Sequence, residues 1–164
     1  KPEIGSNTPI YVALYNTSSE DATLPGTFFE GAYFESKTNA EFKTINEKWA
    51  LFPTSTATKL DGTNATYFDR YKASFQDFLG QDIDMIGKGH FMDNELEALR
   101  INVKLHAKSA DEVIAAVQLL DERLSIFSST NFTITVGVQA DDVDVEPVTR
   151  TTGNSTTVAK TMLY

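Results

Sequence analysis

The feature that most constrains the fold is a strand, a capped helix and a second strand within residues 96–146. From Leu99 to Ala107, apolar residues occupy alternate positions, and the residues between them include Arg100 and Lys104. Alternation with a period of two is typical of a strand with one buried and one solvated face. We therefore predict a half-buried strand at the start of this unit.

A helix is predicted directly after this strand, over residues 110–127. Ser109 and Glu112 have the spacing of a capping box, which satisfies free backbone amides at a helix start. A single apolar stripe follows, at Val113, Val117, Leu120, Leu124 and Phe127. Alternation then runs from Phe132 to Val145 and slips at Asp141-Asp142, which predicts a long strand with a β-bulge. Short links between the elements predict a right-handed crossover within one sheet.

The rest of the chain predicts two more helices and further strands. Residues 10–15 read as a strand because they alternate with a period of two, and residues 27–34 read as a second, aromatic strand. A helix is predicted over 39–52, where a capping box precedes apolar residues spaced by three or four. Another is predicted over 65–79, which carries an aromatic stripe. Residues 80–95 are expected to form a hairpin or an irregular connection.

Together these elements predict a single two-layer α+β domain, with a mixed β-sheet packed with about three amphipathic helices. A chain of 164 residues suits one domain and can bury a sizeable core. Residues 9–146 are assigned to the domain, 1–8 to an N-terminal arm and 147–164 to a Thr-rich C-terminal arm. The first residue, Lys1, fits either a processed or a trimmed start.

Composition excludes several classes of function. The chain has a net charge of −9, whereas a nucleic-acid binder needs a basic surface to contact the phosphates. The absence of cysteine removes disulfides, thiol catalysis and cysteine-based metal sites. No apolar run reaches the roughly 18–20 residues that a spanning helix needs. We predict neither a nucleic-acid partner nor a membrane span.

No common catalytic or metal-binding motif occurs in the sequence, whether nucleophile elbow, paired-histidine zinc motif or phosphate-binding loop. His106 falls on the predicted solvated face. His90 lies near Asp93 and Glu95, where a proton-transfer or metal site is conceivable, but a polar loop residue is the preferred interpretation. We predict no catalytic residue, no metal and no cofactor, and hence a protein that is not an enzyme.

The densest carboxylate group is at the end of the predicted long strand, at Asp141, Asp142, Asp144 and Glu146. Calcium favours such oxygen ligands. Charged residues on a strand edge also discourage pairing between molecules, which needs no cation. A solvated acidic edge is preferred, and calcium remains the alternative.

Aromatic residues are concentrated in residues 28–34 and along the predicted helices. Most have the spacing of core residues, although a platform for a ligand or glycan is the alternative. Tyr11 and Tyr15 lie opposite Ile10 in the first strand and would form a contact surface if that face is exposed.

Four N-x-S/T sequons occur, at Asn16, Asn64, Asn131 and Asn154. All are expected in loops, at element ends or in the tail, where a glycan is tolerated. Asn, Ser and Thr also favour turns for their own reasons, so glycosylation stays a hypothesis.

The function predicted from these features is that of a structural or assembly subunit of a homo-oligomeric particle or filament, either a virion component or an extracellular coat protein. Terminal arms exchanged between copies would provide the contacts. These contacts are predicted at Ile4, Ile10, Val158, Met162, Leu163 and Tyr164. The partners would be copies of the chain or other structural proteins. A secreted module that binds a glycan, peptide or small ligand, and a carboxylate-dependent hydrolase, are the alternatives.

Overall fold

The computed structural model describes residues 8–17, 23–35, 40–79, 83–106, 109–127, 131–140 and 143–150, and the side chains of all of these except 77–79, 110 and 143–150. Its strands are β1 (Ile10–Asn16), β2 (Thr27–Phe34), β3 (Lys43–Thr44), β4 (Glu47–Phe52), β5 (Ile83–Met92), β6 (Glu95–Leu105), β7 (Thr133–Ala140) and β8 (Val143–Arg150). Its helices are α1 (Ser55–Leu60), α2 (Gly62–Leu79) and α3 (Ala110–Arg123), and a short 3-10 helix (Leu124–Phe127) continues α3. No helix in this part of the chain has the length and apolar character needed to cross a bilayer.

Two sheets are formed, and the α+β fold class is confirmed. The larger sheet has the order β4-β5-β6-β7-β8, and only β6 and β7 in it run parallel. The smaller has the order β1-β2-β3.

The predicted strand–helix–strand unit is present as β6, α3 and β7. The Ser109 side chain accepts a hydrogen bond from the Glu112 backbone amide, as the capping box predicts. The predicted long final strand is instead two antiparallel strands, β7 and β8. The acidic pair at 141–142 lies between them, outside the described residues. Because β8 continues to Arg150, sheet structure extends past residue 146; the division into domain and arms stays a prediction.

The helix predicted over residues 39–52 is wrong, because β3 and β4 occupy this region. In β4, Ala50 and Phe52 are buried while Trp49 and Leu51 are half-buried on the other side. A short strand with apolar residues on both faces resembles a helical stripe in its spacing. The third helix is α1, which begins after Pro53, and the Thr54 hydroxyl accepts from its Ala57 amide at 3.2 Å.

The core lies between the helices and one face of the larger sheet. In α2, Phe68, Tyr71 and Phe75 are fully buried. They pack with alternate residues of β5, β6 and β7 and with the buried stripe of α3.

Two glycines of β5 make room for these rings. A Cβ atom on Gly87 would lie 2.9 Å from Phe68 Cε2, and one on Gly89 would lie 2.6 Å from Phe52 Cε2. Both distances are shorter than real Cβ contacts allow. The sequence Gly87-Lys88-Gly89 therefore serves the packing of aromatic rings against the sheet.

Residues 83–105 form the hairpin expected near residues 80–95. Asp93 and Asn94 have φ angles of 52° and 69°, as the two central residues of a type I′ turn require. Beyond the turn, Phe91 pairs with Leu96 but His90 pairs with Ala98, so Glu97 is an extra residue in β6. This bulge changes which alternate residues face the core, and both Leu96 and Leu99 are buried.

The Gly89→Ala substitution should lower the free energy of unfolding by about 1–3 kcal/mol, because the added methyl group overpacks the contact with Phe52. Gly137→Ala is the matched control. Its Cβ would meet only Asn102 Oδ1, at 3.6 Å. Urea unfolding of both variants measures the difference, and equal stabilities would contradict this account of β5.

Candidate functional site

The candidate site is the solvated face of the larger sheet, opposite the helices. Residues that alternate with the core point to this face, among them Lys88 on β5 and Arg100, Asn102 and Lys104 on β6. The bulge at Glu97 sets this alternation for the whole of β6 beyond it.

A trough of about 890 Å³ lies on this face. Its charged lining residues are Lys72, Lys88, Arg100, Lys104 and Asp84. Among the described side chains, three of these cations and the Asp84 carboxylate lie on the strands of the solvated face, and Lys72 lies on α2, although the chain as a whole carries a net charge of −9. We refer to this surface as the cationic trough.

Strand pairing fixes the positions of the charges within the trough. Lys88 is directly opposite Arg100, and Asp84 is directly opposite Lys104. Arg100 and Lys104 are four positions apart on β6, which places their Cα atoms roughly 13 Å apart. Between these ends the pairing aligns Asn102 with Gly137, which has no side chain. On the other side of Asn102, the exposed Ile86 of β5 is directly opposite it. The middle of the trough is therefore uncharged, with an apolar side chain on one side and open space on the other.

A second cluster on the same face is formed by Glu47, Trp49 and His90. His90 Nε2 lies 2.7 Å from Glu47 Oε1, and the Trp49 and His90 rings are 4.6 Å apart. The backbone amide of Phe28 donates a hydrogen bond to Glu47 Oε2. Trp49 Nε1 is buried without a hydrogen-bond partner among the described residues. Each Glu47 oxygen thus contacts a different sheet.

The side chain that contacts His90 is not one of those expected from the sequence. Its partner is Glu47, forty-three positions away, and not Asp93 or Glu95. Among the described residues no group of three or more His, Asp or Glu side chains could hold a metal ion. His106, placed on the solvated face, is exposed.

Tyr71 is the other titratable side chain with a defined environment. Its hydroxyl donates to the Leu120 carbonyl oxygen at 3.0 Å, which links α2 to α3. Burial raises the pKa of Tyr71 far above its usual value, and the nearby Asp121 carboxylate raises it further. The phenol therefore stays protonated and serves as a buried link between helices.

Apart from Ile86 and Ile114, the exposed large apolar side chains in the described residues belong to the smaller sheet and its flank, at Ile10, Tyr11, Leu14, Tyr15, Phe28, Phe29, Tyr33 and Phe42. Tyr11 and Tyr15 are therefore exposed, and Tyr15 packs against Phe28 at 4.9 Å between ring centroids. The prediction that most aromatic residues belong to the core is therefore wrong for the exposed aromatic side chains of β1 and β2.

The remaining residues predicted from sequence are dispersed. Asn16 ends β1, Asn64 lies in the first turn of α2 with its amide bonded to Asp61, and Asn131 is exposed before β7. Of the predicted contact residues, Ile10 is exposed on β1. The others, Ile4, Val158, Met162, Leu163 and Tyr164, lie outside the described residues, as do Asn154, Asp141 and Asp142. Their glycosylation, contact and cation-binding roles stay predictions.

Sequence reasoning missed the cationic trough. The alternating Arg100, Asn102 and Lys104 were read only as the solvated side of a strand. Their convergence with Lys88 depends on the pairing of β5 with β6, which the local pattern does not contain.

Comparison with known proteins shows the family to which the chain belongs. The family model described as "CamS sex pheromone cAM373 precursor" matches residues 1–156. The chain belongs to the CamS family. No curated protein matches it.

Solved structures of sex pheromone precursors share the CamS fold seen here. The C-terminal domain of the staph-cAM373 precursor from Staphylococcus aureus is 25% identical, with a TM-score of 0.78 over 94% of this chain and 48% of that one. The precursor from Lactobacillus salivarius is 21% identical, with a TM-score of 0.82 over 93% of this chain and 45% of that one. A further staph-cAM373 precursor structure is 17% identical, with a TM-score of 0.69 over 96% and 57%. The chain thus spans about half the length of the structures it matches.

Membership of the CamS family corrects the function predicted from sequence. The prediction of a structural subunit of a virion or filament is wrong, and so are the partners predicted with it, namely copies of the chain or other structural proteins. An extracellular location agrees with this family, but nothing supports a virion. A polar, acidic surface without catalytic motifs fits many kinds of exported domain, so composition could not separate them.

Glu47→Ala should lower the free energy of unfolding by about 1–3 kcal/mol, because it leaves His90 and the Phe28 amide without their partner. Glu122→Ala on the exposed side of α3 is the control. In a double-mutant cycle with His90→Ala, the coupling energy should exceed about 0.5 kcal/mol. Additive effects would show that the contact contributes nothing to stability.

Tyr71→Phe should change the pH dependence of stability. Because the pKa of Tyr71 is raised in the folded state, its contribution is fully present below pH ~10 and declines as pH rises from there towards the folded pKa. The stability difference between the native protein and the variant should therefore fall by about 1.4 kcal/mol per pH unit above pH ~10. Urea unfolding at about pH 8, 10 and 11 measures it. Tyr33→Phe, at an exposed site, is the matched control.

Proposed function

We propose that this chain is the folded, non-catalytic part of a sex pheromone precursor that is exported from the cell. The observation that carries the proposal is the family match over residues 1–156, which is nearly the whole chain. The similarity to the Staphylococcus aureus structure over 94% of the chain supports it.

The geometry of the titratable groups supports a non-catalytic role. His90 is held between Glu47 and Trp49, where one ring nitrogen is engaged by the carboxylate. Tyr71 is buried, bonded to a backbone carbonyl oxygen and kept protonated. Both groups are used to hold elements of the fold together.

Deleting the gene that encodes this chain from its natural host should abolish the mating-response activity of the culture fluid, measured on responsive recipient cells. Reintroducing the full gene should restore that activity. Undiminished activity in the deletion strain would contradict the role as a precursor.

A His90→Gln variant of the full gene tests the non-catalytic role separately. Pheromone activity per amount of folded protein should stay unchanged, since His90 contributes only to packing and hydrogen bonding. Glu122→Ala provides the matched control. A loss of activity with normal levels of folded protein would show that His90 takes part in a reaction.

A further inference from the structure

We propose that the cationic trough binds a linear phosphate-bearing chain, whose anionic groups recur along a flexible backbone without rings. This inference rests on the solvated face of the larger sheet and is independent of the proposed precursor role.

The charge distribution of the trough favours an anionic occupant. Lys88 and Arg100 are directly opposite one another on neighbouring strands, and like charges in such positions destabilise a sheet. Lys104 is directly opposite the Asp84 carboxylate, whereas Lys88 and Arg100 have no ion-pair partner among the described side chains. A bound anion would relieve the repulsion at this pair.

The position of the trough disfavours a peptide. β6 lies between β5 and β7, and its backbone groups are already paired on both sides. An extended peptide could not add there as a strand, so it would lose the main-chain hydrogen bonds on which strand addition relies. A ligand for this face must be recognised through acceptor groups that protrude from its chain.

The lining also disfavours ligands that bind by ring stacking. Among the described residues, no aromatic side chain lines the trough, whereas single-stranded nucleic acids are bound by stacking on such side chains. Arg100 offers a planar fork of donors and Lys88 an ammonium group, both well suited to phosphate oxygens. A polyol phosphate chain meets these requirements.

The separation of the cations sets a minimum length for the ligand. Arg100 and Lys104 lie at opposite ends of the trough, roughly 13 Å apart along β6. A single phosphate can engage only one end. Gly137 in the middle leaves the floor open for the uncharged part of the chain.

The test is the binding of a fluorescently labelled glycerol phosphate decamer to the purified chain, measured by anisotropy at low and high salt. Arg100→Glu or Lys104→Glu should raise Kd at least about tenfold, because each replaces a phosphate-binding cation by a carboxylate. Lys59→Glu, an equal charge change at an exposed site on α1, should raise it less than about twofold. Urea unfolding confirms that each variant is folded.

Gly137→Val adds a steric test that leaves the charge unchanged. Valine suits a strand, but its side chain would occupy the floor of the trough. We expect a rise in Kd of at least about fivefold. Because this variant alters no ion pair, it keeps the proposal testable if a charge reversal prevents folding.

Several results would overturn the proposal. These are no binding at low salt, equal weakening by Lys59→Glu and Arg100→Glu, or no effect of Gly137→Val. Glycerol phosphate monomer that binds as tightly as the decamer would refute the two-ended site. Tighter binding of an oligoglutamate of matched charge would identify the ligand as an acidic peptide instead.

Discussion

The packing of the α2 aromatic rings against β5 determines both faces of the larger sheet. Phe68 and the neighbouring Phe52 need the space that Gly87 and Gly89 leave, which fixes the odd-numbered residues of β5 towards the helices. The even-numbered residues, including Lys88 and His90, must then point to solvent. The candidate site is thus a geometric consequence of how the core is packed.

Residues 45–47 join the two sheets through hydrogen bonds. The Ile45 amide donates to the Phe29 carbonyl oxygen at 2.8 Å, the Asn46 carbonyl oxygen accepts from the Asp93 amide at 3.0 Å, and Glu47 contacts both sheets through its carboxylate. The smaller sheet has few buried side chains of its own, so these polar contacts account for much of its attachment. Charge-assisted bonds of this kind are stronger than neutral ones.

The sequence predicted the elements in which independent patterns agree. At residues 96–127, strand alternation, the Ser109 cap and the α3 stripe all favour one structure, and that structure is present. In residues 39–52 the apolar residues have the spacing of a helix, because both faces of β4 carry apolar side chains. Periodicity alone cannot distinguish a short strand of this kind from a helix. The trough escaped prediction because it depends on which residues of β5 and β6 are opposite one another. Pairing of this kind is set by the turn and by tertiary packing.

Because Glu97 is an extra residue in β6, the set of side chains on the solvated face depends on the presence of this one residue. Before it, even-numbered positions of β6 such as Leu96 face the core; after it, odd-numbered positions such as Leu99 do. Losing one residue here would turn the rest of the strand over and direct Arg100 and Lys104 into the apolar interior, where unpaired charges are very costly. Insertions and deletions between the Asp93-Asn94 turn and Leu99 should therefore be purged during evolution more strictly than substitutions at the same positions.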